Sequence, residues 1–82
     1  MLQENMTTDK LLKEIVEVSS SAIYSIEYNH ETHDLLITFT SGVRYVYYNV
    51  SYDDFVSLKY SDSIGSYFNK QIKNTYEWQL CK

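Results

Sequence analysis

At Ser51 the hydrophobic period of this chain changes from two to nearly four, dividing its 82 residues into a part that builds a sheet and a part that builds helices. Before that point three runs rich in β-branched and aromatic residues follow one another: Ala22–Tyr28 (AIYSIEY), Asp34–Thr40 (DLLITFT) and Val43–Asn49 (VRYVYYN). In the second, Leu35, Ile37 and Phe39 alternate with Leu36, Thr38 and Thr40, so the first set faces the core. The segment Asn29–His33 suits a hairpin loop, and at Ser41-Gly42 the glycine supplies the positive φ of a tight turn. A three-stranded antiparallel meander follows. Its edges are the first and third runs, which together carry five of the nine tyrosines.

After the switch, Ser51-Tyr52-Asp53-Asp54 reads as a helix start, with a hydroxyl able to accept a backbone N–H and two carboxylates at the positive end of the helix dipole. Phe55 and Leu58 form the buried side of this helix, which ends near Lys59 or Tyr60. A second helix opens at Asp62 or Ser63, with Ile64, Phe68, Ile72 and Tyr76 on one face and Gly65 placed for close approach of its backbone to the sheet or the first helix. Trp78 and Leu80 either extend that helix or cover an open edge of the core. At the other end, Thr7 or Thr8 caps an amphipathic turn through Leu11, Leu12, Ile15 and Val16; alternatively residues 8–18 fold back as a cover or fourth strand. The expected architecture is α+β: the meander, then two C-terminal helices packed on one face, with a short N-terminal helix or extra strand. Leu35, Ile37, Phe39, Phe55, Leu58, Ile64, Phe68 and Ile72 are the expected core. Residues 1–15 form a partly ordered extension and 16–82 a single domain, all that a chain of this length supports.

An ordered set of short motifs runs through that domain: Val18-Ser19-Ser20, Ile26-Glu27-Tyr28, Tyr45-Val46-Tyr47, Ser63-Ile64-Gly65-Ser66-Tyr67-Phe68-Asn69 and Ile72-Lys73-Asn74-Thr75-Tyr76. The set resembles the KTSC domain, a module of about sixty residues found at the C-terminus of some lysyl-tRNA synthetases and as a free-standing protein of bacteria and their phages, and it spans some three-quarters of the chain. Where that family usually carries proline after the valine, this chain has Ser51, which caps a helix equally well. The function that the resemblance implies is RNA binding.

The residues themselves argue against catalysis. The two imidazoles, His30 and His33, share a hairpin loop; Cys81 lies in a terminal tail with no activating neighbour; Asp53 and Asp54 form a cap rather than an acid/base pair; and no glycine-rich phosphate loop is present. No metal site and no cofactor are expected, since a His pair lacks the further ligands a metal site needs. The single cysteine and the lack of any long apolar run point to a cytoplasmic protein without membrane contact, in the host cytoplasm if it is phage-encoded.

Binding is the remaining class. Nine tyrosines exceed what so small an interior can bury, and wet tyrosines make good contact anchors. Tyr45 and Tyr47 share one face of the third run and Val46 and Tyr48 the other, while Tyr24 and Tyr28 align on one face of the first. Candidate binding residues are Tyr24, Arg44, Tyr45, Tyr47, Tyr48, Tyr52, Tyr67, Lys70 and Lys73. Residues 1–58 carry three Lys and Arg against nine Asp and Glu, whereas 59–82 carry four Lys against Asp62 and Glu77, within a formal charge of −4. That balance disfavours a long polyanion and favours a protein partner. The expected function is a small interaction or inhibitor protein, phage-encoded in one version and acting on a host or defence protein; the alternative is an RNA- or nucleotide-binding domain. Monomer and dimer are both open.

Overall fold

A computed structural model describes residues 12–81. The three runs before Ser51 form three neighbouring strands, β2 (Ile23–Asn29), β3 (Leu35–Phe39) and β4 (Arg44–Tyr47), within a five-stranded antiparallel sheet of order β1-β2-β3-β4-β5. Gly42, at φ +94°, makes the turn between β3 and β4, where its N–H bonds to the Phe39 carbonyl at 2.9 Å. Period-two alternation sends Leu35 and Ile37 into the core beside Ile26, Tyr28 and Tyr47, all buried. The opposite face, with Ser25, Glu27, Leu36, Thr38, Arg44 and Val46, carries no helix among the described residues.

The sheet has two strands beyond the three-stranded meander, the first of them the N-terminal alternative and the second not expected. β1 (Lys13–Glu17) pairs with β2, setting Val16 opposite Ile26, so residues 13–17 are the extra strand and not the amphipathic helix; Leu11 and the proposed caps lie outside the described residues. Leu12, Ile15 and Val16 suit either period, and the unpaired backbone of β2 decides between them, because every buried peptide group needs a partner. The sheet therefore begins inside the segment assigned to the N-terminal extension. β5 (Trp78–Cys81) pairs with β4, which makes Trp78 and Leu80 edge-strand residues, not a helix extension. Consequently the first and third runs are interior, and the tyrosines they carry do not lie on sheet edges.

A bulge between Ile23 and Ser25 corrects another expectation. The additional residue keeps both Ile23 and Ile26 on the buried face and turns Tyr24 outward, so Tyr24 and Tyr28 part company: the first is 54% exposed and the second 1%.

Between β4 and β5, α1 (Tyr52–Lys59) starts where Ser51 Oγ accepts the Asp54 N–H at 3.1 Å, and buries Phe55 and Leu58. The second helix is shorter than its stripe suggested. Four α-helical residues, α2 (Ile64–Tyr67), pass into a π-turn over Phe68–Ile72, whose wider closure is visible in the Lys73 N–H bonding back to the Phe68 carbonyl at 2.9 Å. Phe68 and Ile72 are buried, Ile64 and Phe39 half-buried, and Tyr76 follows in a turn, packed on the core and donating its hydroxyl to Asp54. Gly65 is not needed for close approach: a β-carbon there would meet only Ser20 Oγ, at 3.9 Å, an ordinary contact. Among the described residues no helix is long and apolar enough to cross a membrane.

Candidate functional site

The helices do not cover the whole buried face of the sheet. At the β4–β5 end, alternation places Tyr45 and Tyr47 on that face, and the antiparallel register sets Leu80 opposite Tyr45 and Trp78 opposite Tyr47. Phe39 arrives from the end of β3. The π-turn brings Phe68 and Asn69 against these rings, followed by Lys73 and Asn74. Together Phe39, Tyr45, Tyr47, Phe68 and Trp78 with those two amides and one ammonium line a cleft of about 300 Å³, at the small end of ligand-binding cavities.

Its rings meet edge to face throughout. Phe39 and Tyr45 cross at 86°, Phe39 and Phe68 at 73°, Tyr47 and Phe68 at 83°, and Tyr45 and Trp78 at 83°. Such a wall accepts an apolar side chain against ring edges and faces.

Tyr47 is the most buried of the polar residues that line the cleft. Its residue is 4% exposed, and its hydroxyl, which makes no hydrogen bond with any described residue, is not sealed from solvent. Burial, helped by neighbouring Tyr45, pushes its pKa above the usual phenol value, so the group remains a neutral donor and acceptor at physiological pH. Tyr28 is the contrast: equally buried, it donates to the Val50 carbonyl at 2.7 Å.

Of the nine candidates from the sequence, the cleft gathers Tyr45, Tyr47 and Lys73. The others are elsewhere. Tyr24 donates to Glu17 Oε2 at 3.4 Å, Tyr48 donates to Gln79 Oε1 at 2.8 Å, and Arg44 is exposed on the helix-free face between Thr38 and Cys81. Tyr52 packs its ring near Tyr28, His30 and Phe55, and Tyr67 donates to Asp54 Oδ1 at 3.4 Å. Lys70 lines a separate, open groove between the β1–β2 loop and α2. That groove also holds the Ser-Ser and Ser-x-Gly motifs, whose hydroxyls serve the backbone: Ser20 Oγ accepts from Ala22 and Ile23, and Ser63 Oγ from Ser66. Sequence reasoning missed Phe39 and Phe68 as cleft residues by placing them wholly in the core, and missed Trp78, Asn69 and Asn74; the alternation in Trp78-Gln79-Leu80-Cys81 was the available signal.

His30 Nε2 lies 3.3 Å from Glu14 Oε1, and Glu14 also pairs with Lys59 of α1, so this carboxylate ties β1 to the hairpin loop and the helix. The Lys59 ammonium above all, opposed by burial and aided by His30, holds the Glu14 carboxyl below its usual range. Cys81 is a half-buried residue of β5 rather than part of a tail. Among the described residues no three His, Cys, Asp or Glu side chains stand close enough to hold a metal ion.

Comparison with known proteins agrees with this architecture. The model of the KTSC domain family matches residues 19–76. The crystal structure of a KTSC domain protein from Yersinia pestis is similar, with a TM-score of 0.81 and 27% identity over 85% of this chain and 99% of that one. No curated protein matches the chain.

Proposed function

Because the chain belongs to the KTSC domain family, and because its helices leave an aromatic cleft open beside the last strand, we propose that it is a non-enzymatic interaction module that holds a partner protein by an apolar side chain seated in that cleft. The observation that carries this reading is the Tyr47 hydroxyl, which belongs to a residue lining the cleft, bonds to no described residue and is not sealed from solvent. A hydroxyl left open in this way can exchange solvent for a polar group of a ligand, which orients a partner beside the apolar contact more than it adds affinity. Trp78 and Tyr45 supply the aromatic contact area on which interfaces concentrate their energy. An inhibitor of a host or defence protein is one instance of this role.

The second reading, an RNA or nucleotide binder, draws on Lys73 at the cleft and Lys70 on the neighbouring surface. A net charge of −4 weighs against it. The test replaces Trp78 with a photo-crosslinking phenylalanine analogue and irradiates bacterial lysate with and without nuclease. A protein adduct that survives nuclease and is diminished by Tyr47→Phe is the expected result. Adducts that vanish with nuclease, or that form equally well from a crosslinker at Tyr24 on the opposite face, overturn the reading.

A further inference from the structure

We infer that the partner segment binds as a sixth strand along the outer edge of β5, with its alternate side chains entering the cleft and a carboxylate meeting Lys73. This rests on the cleft being the binding site and adds how the partner's backbone is held.

Hydrogen-bond parity supplies the first step. The Tyr48 N–H bonds to the Glu77 carbonyl at 2.9 Å, and the register of β4 with β5 continues through that pair. In an antiparallel ladder, pairs that exchange bonds alternate with pairs that do not. Val46 with Gln79 and Arg44 with Cys81 are therefore the bonded pairs, while Trp78 and Leu80 turn their N–H and C=O groups away from β4. No described strand pairs with that side. The edge thus offers two donors and two acceptors at strand spacing, and the side chains of the same two residues, 55% and 44% exposed, stand on the cleft side.

Edge strands are normally blunted by lysine, proline, a bulge or an inward charge, and Trp78-Gln79-Leu80-Cys81 has none of these. An added strand places every second side chain on the cleft face, where Tyr45, Trp78 and the Tyr47 hydroxyl await it, so backbone bonds give affinity and the cleft gives selectivity. The charge identifies the occupant further. Lys73 lines the cleft and no carboxylate among the described residues does, so the fitting segment is extended, alternates apolar residues and carries Asp or Glu. A second copy of this chain fits less well: its β5 would bring Trp78 and Leu80 but no acid for Lys73.

The test pans a random seven-residue peptide display library on the whole protein and follows amide exchange by NMR with a selected peptide. Expected are alternating apolar sequences with Asp or Glu, at least about tenfold slower exchange at Trp78 and Leu80, little change at Gln79 and Cys81, and weakened binding in Lys73→Glu. Leu80→Pro removes only an outward N–H, which an edge strand tolerates, and is expected to weaken the peptide about tenfold or more. Should that variant not fold, exchange in the unaltered protein decides. Peptides that need Trp78 yet leave both amides unprotected overturn strand addition and leave the cleft standing. Failure to select any peptide overturns both. Protection of Trp78 and Leu80 that grows with protein concentration alone assigns the edge to a second copy and overturns the partner proposed here.

Discussion

Tyr28 and Tyr47 are both sunk in the core, but only the first has its hydroxyl bonded to a described residue, and replacing each with phenylalanine separates their roles. In Tyr28→Phe the ring and its stacking on Phe55, with centroids 4.6 Å apart, are kept, so the loss is confined to one hydrogen bond. That bond ends on the carbonyl of Val50, itself fully buried and one residue before the cap of α1. Leaving a buried acceptor unpaired costs about 1–3 kcal/mol. At about 2 kcal/mol, a domain of this size loses roughly 8–16 °C in Tm. Tyr47→Phe removes a hydroxyl with no described partner, and stability is expected to stay within about 0.5 kcal/mol of the parent while partner binding weakens roughly three- to tenfold. Urea and thermal unfolding followed by far-UV circular dichroism measure both variants; the single tryptophan, Trp78, is half exposed in the cleft and reports binding better than unfolding. A Tyr28→Phe protein as stable as the parent, or a Tyr47→Phe protein as destabilised as Tyr28→Phe, refutes the assignment of these hydroxyls.

Three further outcomes are expected. Ser51→Ala removes the acceptor of the Asp54 N–H and lowers stability by about 1 kcal/mol in chemical denaturation, and a smaller loss in Ser63→Ala is expected because α2 has only four residues. The Glu14 carboxyl is held below its ordinary value of 4.5, so its ion pairs stabilise the fold above that pH and the contribution is lost as pH falls through the lowered value. The pair is partly exposed, which limits it to about 0.5–1 kcal/mol; Glu14→Gln should flatten that part of the pH dependence of the urea midpoint, and an unchanged acid limb would count against the tie. Gly65→Ala is expected to raise stability by about 0.4–1 kcal/mol, since its φ is not positive and the added carbon meets only Ser20 Oγ; a lowered Tm would show a closer approach than 3.9 Å.

Local chemistry made much of this fold legible from the chain alone. Alternation in Leu35-Leu36-Ile37-Thr38-Phe39, the glycine of the β3–β4 turn and the Ser51 cap each act within a few residues, so their consequences can be read without knowing what packs against them. The motifs that mark the KTSC family are legible for the same reason, as an ordered string. Tertiary structure decided the rest. Residues 13–17 and 78–81 could follow either period, and only the unpaired backbones of β2 and β4 make them strands. The bulge at Tyr24 and the π-turn at Phe68 each redirect side chains without a distinctive residue to announce them. Most of all, the cleft unites Phe39, Tyr45, Phe68 and Trp78 from four separate elements, and the difference between Tyr28 and Tyr47 lies in whether a distant carbonyl comes within reach of the hydroxyl. Identical side chains on the two strands that flank β3 thus become a structural bond in one place and a free polar group in the other, because hydrogen bonding depends on positions that converge only when the chain has folded.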